Sequence, residues 1–430
     1  MLKRAIALLI SLALFMCATS CSVINIISDV INLAIGDSAN ESDHHENTAD
    51  AYDFPTQIGD FKSLPRTDYL CYQNLTEAQK IAYDHMYESA MQMDKALFYV
   101  GDCTADDVTV AFHALTYDCP YIVWLSSSYG VSEQSDGTYV QFVDPEGNYN
   151  YIMTPQERDK ALDDMYSEID LFITQNILPT MTDYEIELAV HDWLCQQITY
   201  DQEAADAVKN EQEHNSYNAW TAYGAIVENR AVCAGYSNAL QLVLNYLGVR
   251  CASLRVMSEG EMHMLCVVKL DDAWVYVDPT WNDKEACGLK YTHDYFNLSY
   301  AEISKTHTVF EPYTSVLDKG QELNSNFNVY IPPCESEEYN YYKLSGLQIE
   351  HKADFKGLVT RNFKNAVEKG EYSLEFQLTY CEPTNDTIDA LINGYRLIEE
   401  IERFSGAINH IQYAVLNNGA FCMTLSLKEP

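Results

Sequence analysis

The fold is decided by residues 229–283, which read NRAVCAGYSNALQLVLNYLGVRCASLRVMSEGEMHMLCVVKLDDAWVYVDPTWND. From Tyr236 onward, apolar residues recur at helical intervals as far as a stop signal at Gly248. This pattern predicts that Cys233 lies at or just before the start of a helix. Unpaired N–H groups at a helix start stabilise a thiolate, the nucleophilic form of cysteine. The segment therefore predicts a positioned nucleophile.

The second half of this segment predicts a β-hairpin. If Asp271 and Asp272 form its turn, His263 lies one diagonal step from Asp278 on the same face of the hairpin. A three-residue loop would put imidazole and carboxylate on opposite faces, so the register decides whether they can meet. With the two-residue turn, Cys233 would attack an acyl carbon, His263 would relay the proton, and Asp278 would orient the imidazole and stabilise its charged form.

Each of these three residues also has a purely structural interpretation. A lone buried cysteine is usually an apolar core residue, and a lone histidine on a strand is usually a satisfied polar group. An aspartate before proline is usually a turn former. The order of the three residues, the helix start at the cysteine and the hairpin parity together favour the catalytic interpretation.

A family resemblance rests on the same residues. Val232–Ser237, an amphipathic helix, a histidine strand and the segment Tyr276–Asp283 resemble the core of bacterial transglutaminase-like proteins, a branch of the papain-like cysteine enzymes. The resemblance extends to residues 190–194 and 222–226 upstream and to residues 294–299 downstream. It implies an α+β fold with a papain/transglutaminase-like core, a catalytic triad of Cys233, His263 and Asp278, and no cofactor.

The sequence departs from the family pattern at two places. Family members commonly have Gln where this chain has Ala234, and His-Ala-Trp-Asn where it has His263-Met264-Leu265-Cys266. Both changes leave the triad intact. The missing aromatic residue after the histidine reshapes one wall of the expected cleft.

An acyl-transfer site also needs donors for the oxyanion. The backbone N–H of Cys233 is the natural first donor, and a side chain ahead of it can supply a second. Tyr223 and Trp220 are the candidates, and Tyr223 is favoured by its place in the Tyr-Gly pair of the resemblance. The alternative for both is core packing.

Composition restricts the partners. The 430 residues carry a formal net charge of −38, which argues against nucleic acid and against an anionic membrane surface. We expect a protein or peptide substrate, with cationic or amine-bearing groups favoured. The alternative is that acidity only keeps the protein soluble.

The N-terminus predicts export. Lys3 and Arg4 precede an apolar run from Ala5 to Phe15 and then small residues, which is typical of a signal peptide. The segment Ala18-Thr19-Ser20-Cys21 resembles a bacterial lipoprotein box, so Cys21 is predicted to receive lipid and to supply the only membrane attachment. Cleavage after Ser20 without lipid is the alternative. Either route places the protein outside the cytoplasm, in the first case on the outer face of the bacterial cytoplasmic membrane.

The spacing of the cysteines does not determine which of them pair in disulfides. The chain has thirteen, without Cys-x-x-Cys pairs of the kind that bind zinc. Cys17 and Cys21 belong to the signal, and Cys233 is expected to be free. We predict no metal site, and disulfide pairing stays open.

Start and stop signals divide the chain into regions. Capping boxes predict helices after Thr76, Thr104, Thr154 and Thr182. A hairpin is expected between residues 138–143 and 149–153, around the turn segment at 144–147, and another over residues 411–427, turning at Asn418 and Gly419. A single helix is predicted over residues 387–404. The predicted regions are a signal peptide at 1–21, an acidic linker at 22–60, a mostly helical N-terminal region at 61–180, the transglutaminase-like catalytic core at 181–320 and a small α+β domain at 321–430.

Two classes of function follow. The first is an enzyme that forms a thioester on Cys233 and passes the acyl group to water or to an amine, with peptide or amide hydrolysis favoured over transamidation. The second is a catalytically silent surface protein that uses the same fold for binding. A metalloenzyme has little support, because no His-Glu-x-x-His motif appears.

Overall fold

The computed structural model describes residues 57–58, 61–125, 128–143, 151–210, 217–312, 327–406 and 408–427. Helices and strands are mixed along the chain, so the predicted α+β class is confirmed. The signal peptide, Cys21 and all but the last residues of the acidic linker lie outside the described residues. The region boundaries drawn from the sequence stay predictions.

The described helices include none that is both long enough and apolar enough to cross a bilayer.

The N-terminal region packs helices against a small sheet with strand order β3-β5-β4. Each of the four longer helices is preceded by a threonine that caps it. The threonine hydroxyl accepts the N–H of the third helical residue, and the side chain of that residue accepts the backbone N–H of the threonine. All four predicted capping boxes are therefore confirmed. The elements are β1 (Gln57–Ile58), β2 (Phe61–Lys62), α1 (Leu70–Gln73), α2 (Glu77–Gln92), β3 (Phe98–Gly101), α3 (Ala105–Asp118), β4 (Ser128–Gln134), β5 (Gly137–Val143), α4 (Pro155–Asn176) and α5 (Asp183–Gln197).

The predicted hairpin between residues 138–143 and 149–153 is wrong. Strand β5 pairs instead with the preceding strand, in a register that runs from Ser128 opposite Val143 to Gln134 opposite Gly137. The tight turn lies at Ser135 and Asp136, and Gly137 follows it with a φ of +131° that only glycine adopts readily. The Asp-Pro-Glu-Gly segment at 144–147, on which the prediction relied, lies outside the described residues.

The central region builds an antiparallel sheet with the order β10-β9-β8-β11, and helix α8 packs on β8 and β9. Helix α5 lies against α8 on its other side. Gln241 of α8 ties the layers together, because its amide donates to Tyr117 O (2.6 Å) and accepts from Ser253 N (2.8 Å). The elements are β6 (Thr199–Tyr200), α6 (Gln202–Lys209), α7 (Ala222–Ile226), β7 (Arg230–Ala231), α8 (Cys233–Tyr246), β8 (Cys251–Ser258), β9 (Glu261–Leu270), β10 (Ala273–Val277), α9 (Pro279–Asn282), α10 (Tyr300–Ile303) and β11 (His307–Val309).

The C-terminal region has a hydrophobic cluster of its own beneath a sheet with the order β12-β13-β15-β14. The predicted hairpin that turns at Asn418 and Gly419 is confirmed, and both residues have positive φ. The single helix predicted over residues 387–404 is wrong, because Arg396 takes a left-handed conformation and splits it in two. The elements are α11 (Tyr341–Leu344), β12 (Gln348–Ile349), α12 (Phe355–Glu368), β13 (Ser373–Leu378), α13 (Asn385–Gly394), α14 (Leu397–Ser405), β14 (Ile408–Val415) and β15 (Ala420–Leu427).

The first turn of α8 has no room for a side chain at Gly235. A Cβ atom there would lie 2.6 Å from Ala219 O and 2.7 Å from Ala231 Cβ. We expect Gly235→Ala to lower the free energy of unfolding by about 1–3 kcal/mol, because backbone must shift to accept it. Gly357→Ala is the matched control, since nothing lies within 4 Å of its Cβ position in helix α12, and it should be neutral or stabilising. Urea unfolding of both variants checks this, and equal costs would contradict the close packing.

Candidate active site

Cys233 is the first residue of helix α8, as predicted. The residue before it, Val232, is extended and donates its N–H to Ala219 O (2.9 Å). Helix α8 has fourteen residues, so its N-terminal N–H groups and its dipole both favour a negative charge at the thiol. The side chain is half-buried and lines a cleft.

The hairpin that carries His263 has the predicted register. Ala273 pairs with Leu270 and Val277 with Cys266, which leaves Asp271 and Asp272 as the two-residue turn. Asp271 has a φ of +50°, a conformation that Asp tolerates better than most residues. As a result, Nε2 of His263 lies 2.7 Å from Oδ2 of Asp278.

Asp278 is a fully buried carboxylate held by several donors. Its Oδ1 accepts the N–H of Trp281 (3.1 Å), so Asp278 caps helix α9, and its Oδ2 faces His263. Burial alone would raise the pKa of Asp278. The positive charge of His263, its hydrogen bond and the close contact with His307 outweigh burial and hold the pKa well below its usual range. The residue is therefore ionised at neutral pH.

His263 is protonated in this setting. Burial would lower its pKa, but attraction to Asp278 and Cys233, followed by hydrogen bonds to both, raises the pKa well above its ordinary value. Since Nε2 bonds Asp278, Nδ1 is the nitrogen left to exchange a proton with the thiol. The arrangement can hold a thiolate and an imidazolium side by side.

The sequence prediction missed His307. Its Nε2 lies 3.2 Å from Asp278 Oδ2, and Nδ1 lies 2.8 Å from the hydroxyl of Thr306. The buried ring packs against Trp281, with centroids 4.7 Å apart. His307 reaches Asp278 because strand β11 pairs with β8 on the side away from β9. Its spacing from Asp278 carries no signal, so sequence reasoning had no means of finding it.

The cleft beside Cys233 has a volume of about 280 Å³. Its lining is polar and includes two acidic residues, Glu259 in the β8–β9 turn and Glu261 at the start of β9. Glu261 forms an ion pair with Lys209. Burial, and then the negative charge of Cys233, raises the pKa of Tyr200 to about 12, so its hydroxyl stays protonated and can donate a hydrogen bond. The lining residues are Tyr200, Cys233, Ser258, Glu259, Glu261, Met262, His263, Thr280 and Trp281.

Neither predicted oxyanion side chain lines this cleft. The hydroxyl of Tyr223 points to Oδ2 of Asp164 on helix α4, at 3.4 Å, so the geometry gives Tyr223 a packing role. Trp220 packs against a small apolar cluster that contains Val232, and its carbonyl accepts from Asn238 (3.1 Å). The one tyrosine among the described cleft residues is Tyr200.

A second buried polar cluster connects the central and C-terminal regions. His293 lies 2.9 Å from Asp192 and 2.8 Å from Glu375 of strand β13, and the ring stacks on Tyr341 at 3.8 Å. Asp192 also bonds His191 (2.9 Å). Burial would lower the pKa of His293, but the charge of Glu375 and the bonds to both carboxylates raise it to about 9. A charged histidine thus lies between two carboxylates.

Among the described residues, two groups of side chains bring possible metal-ligand atoms within 4.8 Å of one another. The first joins His191, Asp192 and His293, and the second joins His263 and His307 to the carboxylate of Asp278. In both groups the carboxylate is bonded to a histidine ring. The prediction that the protein uses no metal stays a prediction.

Part of the chain matches a known protein family. Residues 172–279 match the model of the transglutaminase-like superfamily, a range that contains Cys233, His263 and Asp278. No curated protein matches the chain.

Two solved structures show weaker likeness. One is the crystal structure of a TGase, with 16% identity and a TM-score of 0.28 over 46% of this chain and 55% of that one. The other is a proposed cysteine protease from Cytophaga hutchinsonii, with 13% identity and a TM-score of 0.22 over 27% of this chain and 37% of that one. The chain therefore spans about half or less of the length of each. These overlaps are too low to carry an argument about fold or activity.

The charge on His293 makes stability depend on pH. Because its pKa rises from 6.5 to about 9 on folding, its contribution is fully present below pH 6.5 and is lost as the pH rises through 9. We expect the difference in unfolding free energy between wild type and His293→Gln to shrink by about 2–3 kcal/mol across that window. Chemical unfolding at several pH values measures it, with the exposed His351→Gln as the control. A difference that does not change with pH would contradict the charged state.

The contact of His307 with Asp278 predicts energetic coupling. His307→Phe keeps an aromatic ring against Trp281 but removes the polar ring nitrogen that lies 3.2 Å from a buried charge, so we expect it to cost about 1–3 kcal/mol. In the Asp278→Asn background the same change should cost less, since no charge is left to compensate. Urea unfolding of the two single variants and the double variant gives the coupling energy. Strictly additive costs would show that His307 only fills space.

Proposed function

We propose that the chain is a cysteine-dependent acyl-transfer enzyme that works through a thioester on Cys233, in keeping with the match of residues 172–279 to the transglutaminase-like superfamily. One observation carries the proposal. The 2.7 Å bond between His263 and Asp278 lies in the same cleft that Cys233 lines at the start of its helix. Nucleophile, base and orienting carboxylate are then in the order that thiol acyl transfer requires.

The chemistry follows from these positions. The Cys233 thiolate attacks the carbonyl carbon of an amide, and the negative charge moves to the oxygen. The backbone N–H of Cys233 is available to that oxygen, and the protonated hydroxyl of Tyr200 lies in the same cleft. His263 gives its proton to the leaving amine, which departs and leaves the thioester.

His263 then takes a proton from the acceptor, which attacks the thioester and releases the thiolate. With water the product is an acid, and with an amine it is a new amide. Asp278 stays ionised and holds the imidazole in one orientation throughout. Ser258, Glu259, Glu261 and Thr280 give the cleft a polar lining that water can enter, which favours hydrolysis of a peptide or amide.

The proposal predicts graded losses in three variants. Cys233→Ala should abolish turnover because no thioester forms, and His263→Ala should do nearly as much. Asp278→Asn should leave partial activity, with a loss on the order of 10²- to 10⁴-fold. The assay is mass spectrometry of an amide-rich peptide library with a labelled amine, read for cleavage, deamidation and amine incorporation. Cys381→Ala, which changes an exposed thiol, is the matched control and should keep full activity.

Two results decide against parts of this proposal. Wild-type turnover by Cys233→Ala would show that the nucleophile is wrong. If wild type and all variants fold by circular dichroism and none turns over any peptide or amide, the silent binding protein should replace the enzyme. Folding must be checked for Asp278→Asn in particular, because Asp278 also caps helix α9.

We infer an extracytoplasmic location from the signal-like N-terminus, which lies outside the described residues. The mature protein should begin at Cys21, carry lipid there and partition into detergent. Mass spectrometry of the N-terminal peptide and phase separation in detergent check this. A soluble product that lacks Cys21, or carries it unmodified, would contradict the anchor.

A further inference from the structure

A short turn of the central region packs against the C-terminal sheet. Ala286 and Leu289 exchange backbone hydrogen bonds (3.0 and 2.8 Å), which leaves Cys287 and Gly288 as the two central residues. The hydroxyl of Thr424 on β15 donates to the carbonyl of Cys287. A Cβ atom on Gly288 would lie 2.9 Å from the hydroxyl of Ser373 on β13. The turn therefore lies in direct contact with two adjacent strands of the other region.

The strand register brings a second cysteine to the same place. Cys422 lies two residues before Thr424 on β15, so both side chains point to the same face. Glu375, directly opposite Cys422 on β13, bonds His293 of the central region (2.8 Å). This face of the sheet is thus the one that meets the central region. The thiols of Cys287 and Cys422 meet there, close enough for each to change the pKa of the other.

The backbone at Cys287 is unusual for a cysteine. Its φ is +47° and that of Gly288 is +76°, the pattern of a type I′ turn. Asn, Asp and Gly normally fill the first central position, because other residues are strained at positive φ. Nothing in the turn's own hydrogen bonds requires a thiol. The contact with Cys422 is what a cysteine supplies and an asparagine does not.

We propose that Cys287 and Cys422 form a disulfide that fastens the C-terminal region to the transglutaminase-like domain. The oxidant is a low-molecular-weight disulfide such as oxidised glutathione. One thiol, as its thiolate, attacks this disulfide, forms a mixed disulfide and releases one glutathione thiol. The second thiol then displaces the other. The two protein thiols lose two protons and two electrons, and the oxidant gains them as two thiols.

The surroundings of the thiols set the order of these steps. The neighbouring Cys422 thiol lowers the pKa of Cys287, although burial opposes it, so Cys287 reaches its reactive thiolate form more easily. Cys287 is also half-buried and within reach of a small oxidant, whereas Cys422 is buried. Cys287 therefore attacks the oxidant first and forms the mixed disulfide, and Cys422 then attacks Cys287 Sγ and releases the second glutathione thiol.

The bond would close a long segment of chain. It would join two regions that pack through polar contacts and would restrict the unfolded chain between residues 287 and 422. Long closed loops give large entropic stabilisation when native geometry is not distorted. The C-terminal region would then unfold together with the central one.

The test uses the purified protein with Cys233→Ala, so that the cleft thiol does not react. It is treated with oxidised glutathione or with a reductant, its free thiols are alkylated, and it is digested for mass spectrometry. We expect one cross-link between the peptides that carry Cys287 and Cys422, and a thermal midpoint higher by about 5 °C in the oxidised form. Cys422→Ser and, at the turn, Cys287→Ser should each lose both effects. The exposed Cys381→Ser is the matched control and should keep both.

Other outcomes overturn the proposal. Separate glutathione adducts on Cys287 and Cys422 under conditions that modify Cys381 would show that the pair does not close. A cross-link from either residue to a different cysteine would do the same. Identical thermal midpoints in the oxidised and reduced forms would show that a bond, even if formed, does not fasten the two regions.

Discussion

The buried charge of Asp278 is the constraint on which the site depends. A carboxylate with no solvent access is costly unless several donors surround it. Here the partners come from three places in the chain. The N–H of Trp281 and the ring of His263 on strand β9 form hydrogen bonds with the carboxylate, and Nε2 of His307 on strand β11 lies 3.2 Å from it. The strand order β10-β9-β8-β11 is what lets both histidines reach one carboxylate. The same sheet thus stabilises the charge and orients the imidazole that faces Cys233.

A set of polar contacts runs from the helix that Asp278 caps toward the C-terminal region. Asn282, at the end of that helix, bonds His191 (3.0 Å) and accepts the N–H of Tyr295 (2.8 Å). His191 in turn bonds Asp192, which bonds His293, and His293 bonds Glu375 of the C-terminal region. The C-terminal region is therefore connected to this helix, although none of its described residues lines the cleft. The members in order are Asn282, His191, Asp192, His293 and Glu375.

The helix start and the hairpin of the triad could be predicted from patterns within one stretch of sequence. Contacts between residues far apart in the chain could not. The helix at Cys233 and the two-residue turn at Asp271 follow from spacing within a single stretch of chain, so both could be predicted. His307 could not, because it reaches Asp278 through sheet order rather than through spacing. The same limit explains the wrong partner for strand β5 and the unseen break at Arg396, where tertiary packing overrides a favourable local pattern. Tyr200 lines the cleft because strand β6 pairs in parallel with β7, just before Cys233. No local sequence pattern predicts that pairing.

The most direct test of the central claim is the rate at which iodoacetamide alkylates each cysteine at about neutral pH, followed by peptide mass spectrometry. If the helix start and His263 activate the Cys233 thiol, Cys233 should react ahead of the other cysteines, including the exposed Cys381. His263→Ala should slow the alkylation of Cys233 toward the rate of Cys381. A wild-type Cys233 that reacts no faster than Cys381, or at a rate that His263→Ala leaves unchanged, would contradict the account.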